Sequence, residues 1–335
     1  MAVTTYEMWA SLFADDCALL FDTRADLIAG ANHLFSHLRR FGLLMHIGRG
    51  ATASKTEAMF CPAPRKTLDS GDTSNFDVTD GFVSFTIDFK YLGSIIHHTL
   101  TSDADIDIRI SKAAAAFGAL RKDFYSQRRL KEKTKGRIFL CLCLSILLYG
   151  SECWCLREDL FRRLRVFFNR CVRQMCRITM RQVIKHRISD ASLRKRLGIE
   201  SFDTYYNSRL LRWVGHAARM KMDRTPRRLL TGWVDNARPV GAPQMTWGRT
   251  VNKALKARGL PLDFAKWSKI ANNRAKWREK TQPHKRKPKP KPTKRQRPGN
   301  CDGFDKWGEN GSYQLYKIPH SVIAAGPAAI LAFGN

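Results

Sequence analysis

Two adjacent carboxylates, Asp15 and Asp16, stand inside the otherwise apolar stretch Phe13-Ala14-Asp15-Asp16-Cys17-Ala18-Leu19-Leu20-Phe21. Apolar runs over residues 8–13 and 17–21 flank them, the pattern of a tight hairpin with carboxylates at its tip. A turn needs one Asp for local backbone bonding, whereas two side by side offer hard oxygen ligands to a divalent cation. Two Mg²⁺ ions about 4 Å apart would activate a 3′-hydroxyl and stabilise a leaving pyrophosphate, the chemistry of template-directed nucleotide polymerisation. An acidic surface turn can carry the same pair, so the elements around it have to make the distinction.

Those elements are legible in part. Thr23 followed by Asp26 starts a helix, Leu27, Leu34, Leu38 and Phe41 recur along it, and Gly42 stops it. Residues 43–47, 57–61, 82–87 and 91–96 read as short strands, and residues 62–81 read as a loop. From residue 100 the period becomes helical. Ser102 caps a helix with Asp103 and Asp105 in its first turn, and further helices are expected over residues 132–149, 158–177, 189–197, 203–220, 246–258 and 264–280. Residues 283–298 are basic and Pro-rich and should bury nothing, and residues 299–335 show no clear pattern.

The 335 residues carry 59 Lys and Arg against 29 Asp and Glu, a formal net charge of +30. The excess is uneven, −3 over residues 1–100 and +34 over residues 101–300. A basic body of that size attracts polyanions by counterion release, so nucleic acid is the expected partner. Nine cysteines without a secretory leader pattern suggest a reducing, intracellular setting, nucleus and cytoplasm, where the basic tail offers a nuclear signal. Cys153, Cys155, Cys171 and Cys176 lack the histidines a zinc knuckle would need, and the apolar part of the 132–149 helix is too short to cross a bilayer. Trp213, Trp233, Trp247, Trp267 and Trp277 lie among cations and either stack bases or, at helical spacing, fill a core.

Phe13-Ala14-Asp15-Asp16, a strand, a helix ending at Phe41-Gly42 and then Lys55-Thr56 resemble the palm of reverse transcriptases. Phe89-Lys90-Tyr91-Leu92-Gly93 resembles the hairpin that grips the primer strand. Further blocks follow in the family's order: residues 105–110, Leu148-Tyr149-Gly150-Ser151-Glu152, Phe168-Asn169-Arg170-Cys171, residues 209–216, Arg227-Arg228-Leu229-Leu230, Trp247-Gly248-Arg249 and residues 274–278. Together they resemble the C-terminal part of the reverse transcriptase of LINE-type (non-LTR) retrotransposons.

The resemblance implies catalytic roles for Asp15, Asp16 and Lys55, with Asp15 and Asp16 as ligands of two Mg²⁺ ions, and a primer grip at Tyr91, Leu92 and Gly93. It implies an RNA template with a DNA primer, or an RNA–DNA hybrid, and no membrane. Arg162, Arg163, Arg170, Arg173, Arg209, Arg212, Arg227 and Arg228 are the expected phosphate contacts. The expected fold is α+β: a partial palm over 1–100, with a small antiparallel sheet plus helix, then a helical thumb over 101–182. A basic helical region over 183–282 and a tail over 283–335 follow. In the family a third metal carboxylate lies on a palm strand upstream of the Asp-Asp turn. Only 14 residues precede Asp15 here, so that strand and the fingers are expected to come from a missing upstream segment. The chain alone is then expected to be inactive, or simply a nucleic-acid-binding remnant. Loss of palm strands should also leave a bare sheet edge and an exposed apolar face.

Overall fold

A computed structural model of the chain describes residues 9–14, 16–62, 73–232, 246–283 and 328–333. Strands β1 (Ala10–Phe13) and β2 (Asp16–Phe21) form the expected hairpin, in register from Ala10 opposite Leu19 to Phe13 opposite Asp16. Asp15 lies outside the described residues, as do Trp233 and residues 284–327 of the tail. Helix α1 (Arg24–Arg40) begins where expected, with the Thr23 hydroxyl accepting from the Asp26 N–H at 3.1 Å.

Residues 43–47 join no strand. Loop 54–56 takes their bonding capacity instead: Thr56 N–H donates to the His46 carbonyl, and Lys55 N–H donates to its ring Nδ1. Strand β3 (Glu57–Cys61) is as expected. Inside the expected loop, β4 (Phe76–Val78) pairs with β5 (Gly81–Phe85), because Phe76 and Val78 alternate into the core. A separate hairpin joins β6 (Asp88–Tyr91) and β7 (Ser94–His97).

The main correction concerns the C-terminus. Residues 328–333 form strand β8, which lies between β2 and β3 in a six-stranded sheet of order β1-β2-β8-β3-β5-β4. It runs antiparallel to both neighbours, and β3 with β5 is a parallel pair. The edge of β2 opposite β1 is therefore covered by β8. Apolar exposure persists on edge strand β1, at Leu12 (65% exposed), and at Trp9 just before it.

Side chains alternate across the sheet with period two. Leu19, Phe21, Ala58 and Phe60 face α1, where Leu27, Ala31 and Phe35 are buried. Ala18, Leu20, Met59 and Cys61 face the opposite way, onto Phe89, Tyr91 and Ile96 of the β6–β7 hairpin. Asp16 shares the parity of Ala18 and so belongs to the hairpin side.

The helical part comprises α2 (Asp103–Leu120), α3 (Glu132–Phe139), α4 (Ser145–Leu147), α5 (Glu158–Met175), α6 (Met180–Lys185), α7 (Asp190–Leu197), α8 (Phe202–Ala218), α9 (Thr225–Thr231), α10 (Trp247–Ala257), α11 (Phe264–Asn272) and α12 (Arg274–Thr281). The expected helix over 132–149 is interrupted by a wide π-type turn, Leu140–Leu144, where the Ser145 hydroxyl donates to the carbonyls of Cys141 and Leu142. The expected helix over 264–280 breaks at Asn273, whose extended backbone ends α11 and whose side chain caps α12. Buried residues from Ile106 to Trp277 form one continuous core.

Trp267 and Trp277 belong to that core, with ring centroids 5.8 Å apart. The Trp277 indole N–H donates to the Leu211 carbonyl at 2.9 Å. It lies so close to Gly215 that a Cβ there would clash with Nε1. These two tryptophans are committed to packing and offer bases no free face.

Candidate active hairpin and nucleic-acid interface

The fold brings the carboxylate hairpin and the Tyr91-Leu92-Gly93 turn together. The Tyr91 hydroxyl, buried, donates to Ser11 of β1, 3.1 Å from Oγ and 3.3 Å from the carbonyl. Burial pushes the Tyr91 phenol above its ordinary pKa; the Ser11 hydrogen bond opposes this, and the nearby Asp16 carboxylate adds to it. Asp16 stands on the face of the sheet that packs against this hairpin.

The turn itself is unusual. Leu92 (φ +47°) and Gly93 (φ +78°) both adopt left-handed backbone, as a two-residue type I′ hairpin turn requires. Glycine does this freely and leucine does not. Leu92 is held there from outside: its carbonyl accepts from the Tyr149 hydroxyl at 2.8 Å, and the Gly93 carbonyl accepts from the Arg109 guanidinium.

Arg109 (5% exposed) lies over the Tyr149 ring, 4.4 Å from its centroid, and faces Asp105 (3% exposed) at 3.5 Å. Asp105 accepts from Ile95 N–H at 3.1 Å and from the Trp154 indole at 2.8 Å. Asp105 is thus an internal anchor, where the sequence reading has it as a first-turn charge favoured by the helix dipole. Ser102 stands at the N-cap of α2, but its side chain does not cap the helix; its hydroxyl accepts from Cys155 N–H at 3.4 Å. The Leu148–Glu152 block leads into this anchor, and its role in the fold is to join the turn to the helices. The i, i+4 spacing of Asp105 and Arg109 was the available signal in sequence.

Lys55 is exposed, and no contact joins its side chain to Asp16 among the described residues. It does lie at the same end of the sheet. Ala18, Ala332 and the Glu57 backbone are aligned across three strands, two strand spacings or about 10 Å. Glu57 shares both that end and the face of Asp16, and the sequence reading missed it because a single glutamate opening a strand carries no signal. Burial pushes its carboxyl above the ordinary value. A raised carboxylate pKa stabilises the fold below the unfolded-state pKa, and the benefit is lost as pH rises through the folded value. Glu57→Gln is therefore expected to leave the thermal midpoint unchanged near pH 4 and raise it at neutral pH by on the order of a degree or two. An equal shift at both pH values would remove burial as the cause.

The arginines divide into two groups. Arg163 is paired with Asp107, and Arg173 with Asp190 at 3.2 Å. Arg227 donates to the Ala218 carbonyl at 2.8 Å, closing the end of α8, and stacks on Phe264. Arg228 donates to the Met222 carbonyl. Arg209 is partly buried, and desolvation pushes its guanidinium below the usual value while Glu152 opposes the shift. Arg162, Arg170 and Arg212 remain exposed with no carboxylate partner among the described residues. Arg162 and Arg170 lie on one face of α5, about 12 Å apart along the axis. Arg177 beyond the end of α5, and Arg181 and Lys185 on α6, continue the exposed basic series.

Among the described residues no group of three or more His, Cys, Asp or Glu is placed to hold a metal ion. No helix there is long and apolar enough to cross a membrane. The chain is 25% identical over 268 residues to an uncharacterized transposon-derived protein of Caenorhabditis elegans, covering 79% of this chain and 92% of that protein. This likeness points to a transposable-element origin. No family model matches the chain, and no solved structure does.

Proposed function

We propose that this chain is the palm-remnant and thumb-side part of a reverse transcriptase of a non-LTR retrotransposon, and that alone it binds RNA or RNA–DNA hybrid without extending a primer. The observation that carries this reading is the Tyr91–Ser11 contact, which sets the Tyr91-Leu92-Gly93 turn beside the Asp16 hairpin, on the same face of the sheet. The transposon-derived relative supports the element origin. The basic helical body supports polyanion binding, with Arg162, Arg170 and Arg212 as free phosphate contacts.

Hard oxygen ligands at Asp15 and Asp16 suit Mg²⁺, but the described residues do not fit a two-ion centre. The strands beside β2 are β1 and β8, whose residues Ala-Ser-Leu-Phe and Ala-Ala-Ile-Leu-Ala-Phe include no carboxylate, and Glu57 is two strands away. The polymerase step therefore needs a carboxylate from elsewhere. What the chain's own residues do is grip: the hairpin turn and the arginine faces hold a backbone.

Primer extension on an RNA template with Mg²⁺ tests both halves of the reading. Neither the wild type nor the Asp15→Ala/Asp16→Ala variant is expected to extend the primer, and both are expected to bind the template with equal affinity. Extension by the wild type and not by the variant would overturn the claim of inactivity. Loss of binding in the variant would overturn the assignment of binding to the helical body.

A further inference from the structure

The six-stranded sheet is held together through β8, the last of its strands in chain order among the described residues. The two strands β1–β2 and the three strands β3–β5–β4 share no strand pairing with one another, and β8 joins them. It matches Cys17 through Phe21 on one wall with Phe333 through Ala329, and Glu57 through Cys61 on the other with Ala332 through Ala328. The faces above and below this gap are supplied by other elements, α1 on one side and the β6–β7 hairpin on the other. A gap with two backbone walls, a floor and a roof reads main-chain hydrogen bonds, which any extended segment can offer.

The strand that fills it reaches it over a long connection. Forty-four residues, 284–327, separate it from the helical body, a contour of up to about 150 Å. The hexapeptide is uncharged and lacks proline, so it suits an interior strand position.

We propose that the gap between β2 and β3 is a strand-acceptor site, that residues 328–333 occupy it as an exchangeable strand, and that its ligand class is an extended, uncharged apolar hexapeptide running antiparallel to both walls. This stands apart from any polymerase ancestry.

The register gives the test. Directly opposed residues on antiparallel strands have Cα atoms about 4.5–5.5 Å apart, within disulfide range. In the full chain, Phe333→Cys is expected to form a disulfide with native Cys17, and Ala328→Cys with native Cys61. Oxidised glutathione is the oxidant and peptide mapping the readout. At low protein concentration the links should lie within one chain; links between chains that grow with concentration would show the same site filled by a second copy. A synthetic hexapeptide of sequence 328–333, with Cys in place of its final Phe, is expected to couple to Cys17 of a Leu331→Pro chain at least tenfold faster than a scrambled peptide. It should not couple to the cross-linked Phe333→Cys chain. Absence of both cross-links in the full chain overturns the proposal, whether or not the proline variant folds. Equal coupling of ordered and scrambled peptides overturns the acceptor site.

Discussion

Asp105→Ala is expected to destabilise the chain by about 3–5 kcal/mol, the range for removing one partner of a buried ion pair. The substitution leaves Arg109 buried without its counter-charge, and it strips acceptors from Ile95 N–H and the Trp154 indole. Urea unfolding followed by circular dichroism reads the effect as a lower midpoint with an unchanged slope. The companion variant Asp105→Leu/Arg109→Met removes the orphaned charge as well and is expected to recover part of the loss, since two apolar groups replace two charges. A cost below about 1 kcal/mol for Asp105→Ala would mean that the anchor is not what holds the Leu92–Gly93 turn to the helices. Because that turn adopts left-handed backbone at a leucine, its position depends on the anchor more than on its own sequence.

Replacing Arg162, Arg170, Arg177 and Arg181 together by glutamine is expected to lower the slope of log affinity against log salt by roughly 3–4 on a duplex, near 0.9 per lost phosphate contact. Fluorescence polarisation with a labelled RNA–DNA hybrid, titrated at several salt concentrations, measures it. The contrast lies in the ion-paired residues. Arg163→Gln/Arg173→Gln removes guanidinium groups already engaged by Asp107 and Asp190, so the slope should change much less. Arg227→Gln should weaken the fold more than binding, because its guanidinium closes the end of α8. An unchanged slope in the fourfold variant would shift the interface away from α5 and α6.

The sequence by itself determined those features whose causes are local. Thr23 capping Asp26, the Asp-Asp hairpin between two apolar runs, the switch to helical period after residue 100 and the basic body all rest on neighbours within a few positions or on composition. Local spacing also named Tyr91, Leu92 and Gly93, though it could not show Tyr91 reaching Ser11 across 80 positions.

Tertiary structure alone decided three further things. It placed Ala328–Phe333 at the centre of the sheet, because strand pairing is a contact between distant segments and an uncharged hexapeptide announces no partner. It turned Asp105 inward, because Ile95 and Trp154, one on a hairpin and one beyond the next helices, converge on its two oxygens. And it separated free arginines from engaged ones, since Asp107 and Asp190 come from other helices to neutralise Arg163 and Arg173. In each case the deciding interaction joins residues far apart in the chain, where neither periodicity nor residue type specifies which groups will meet.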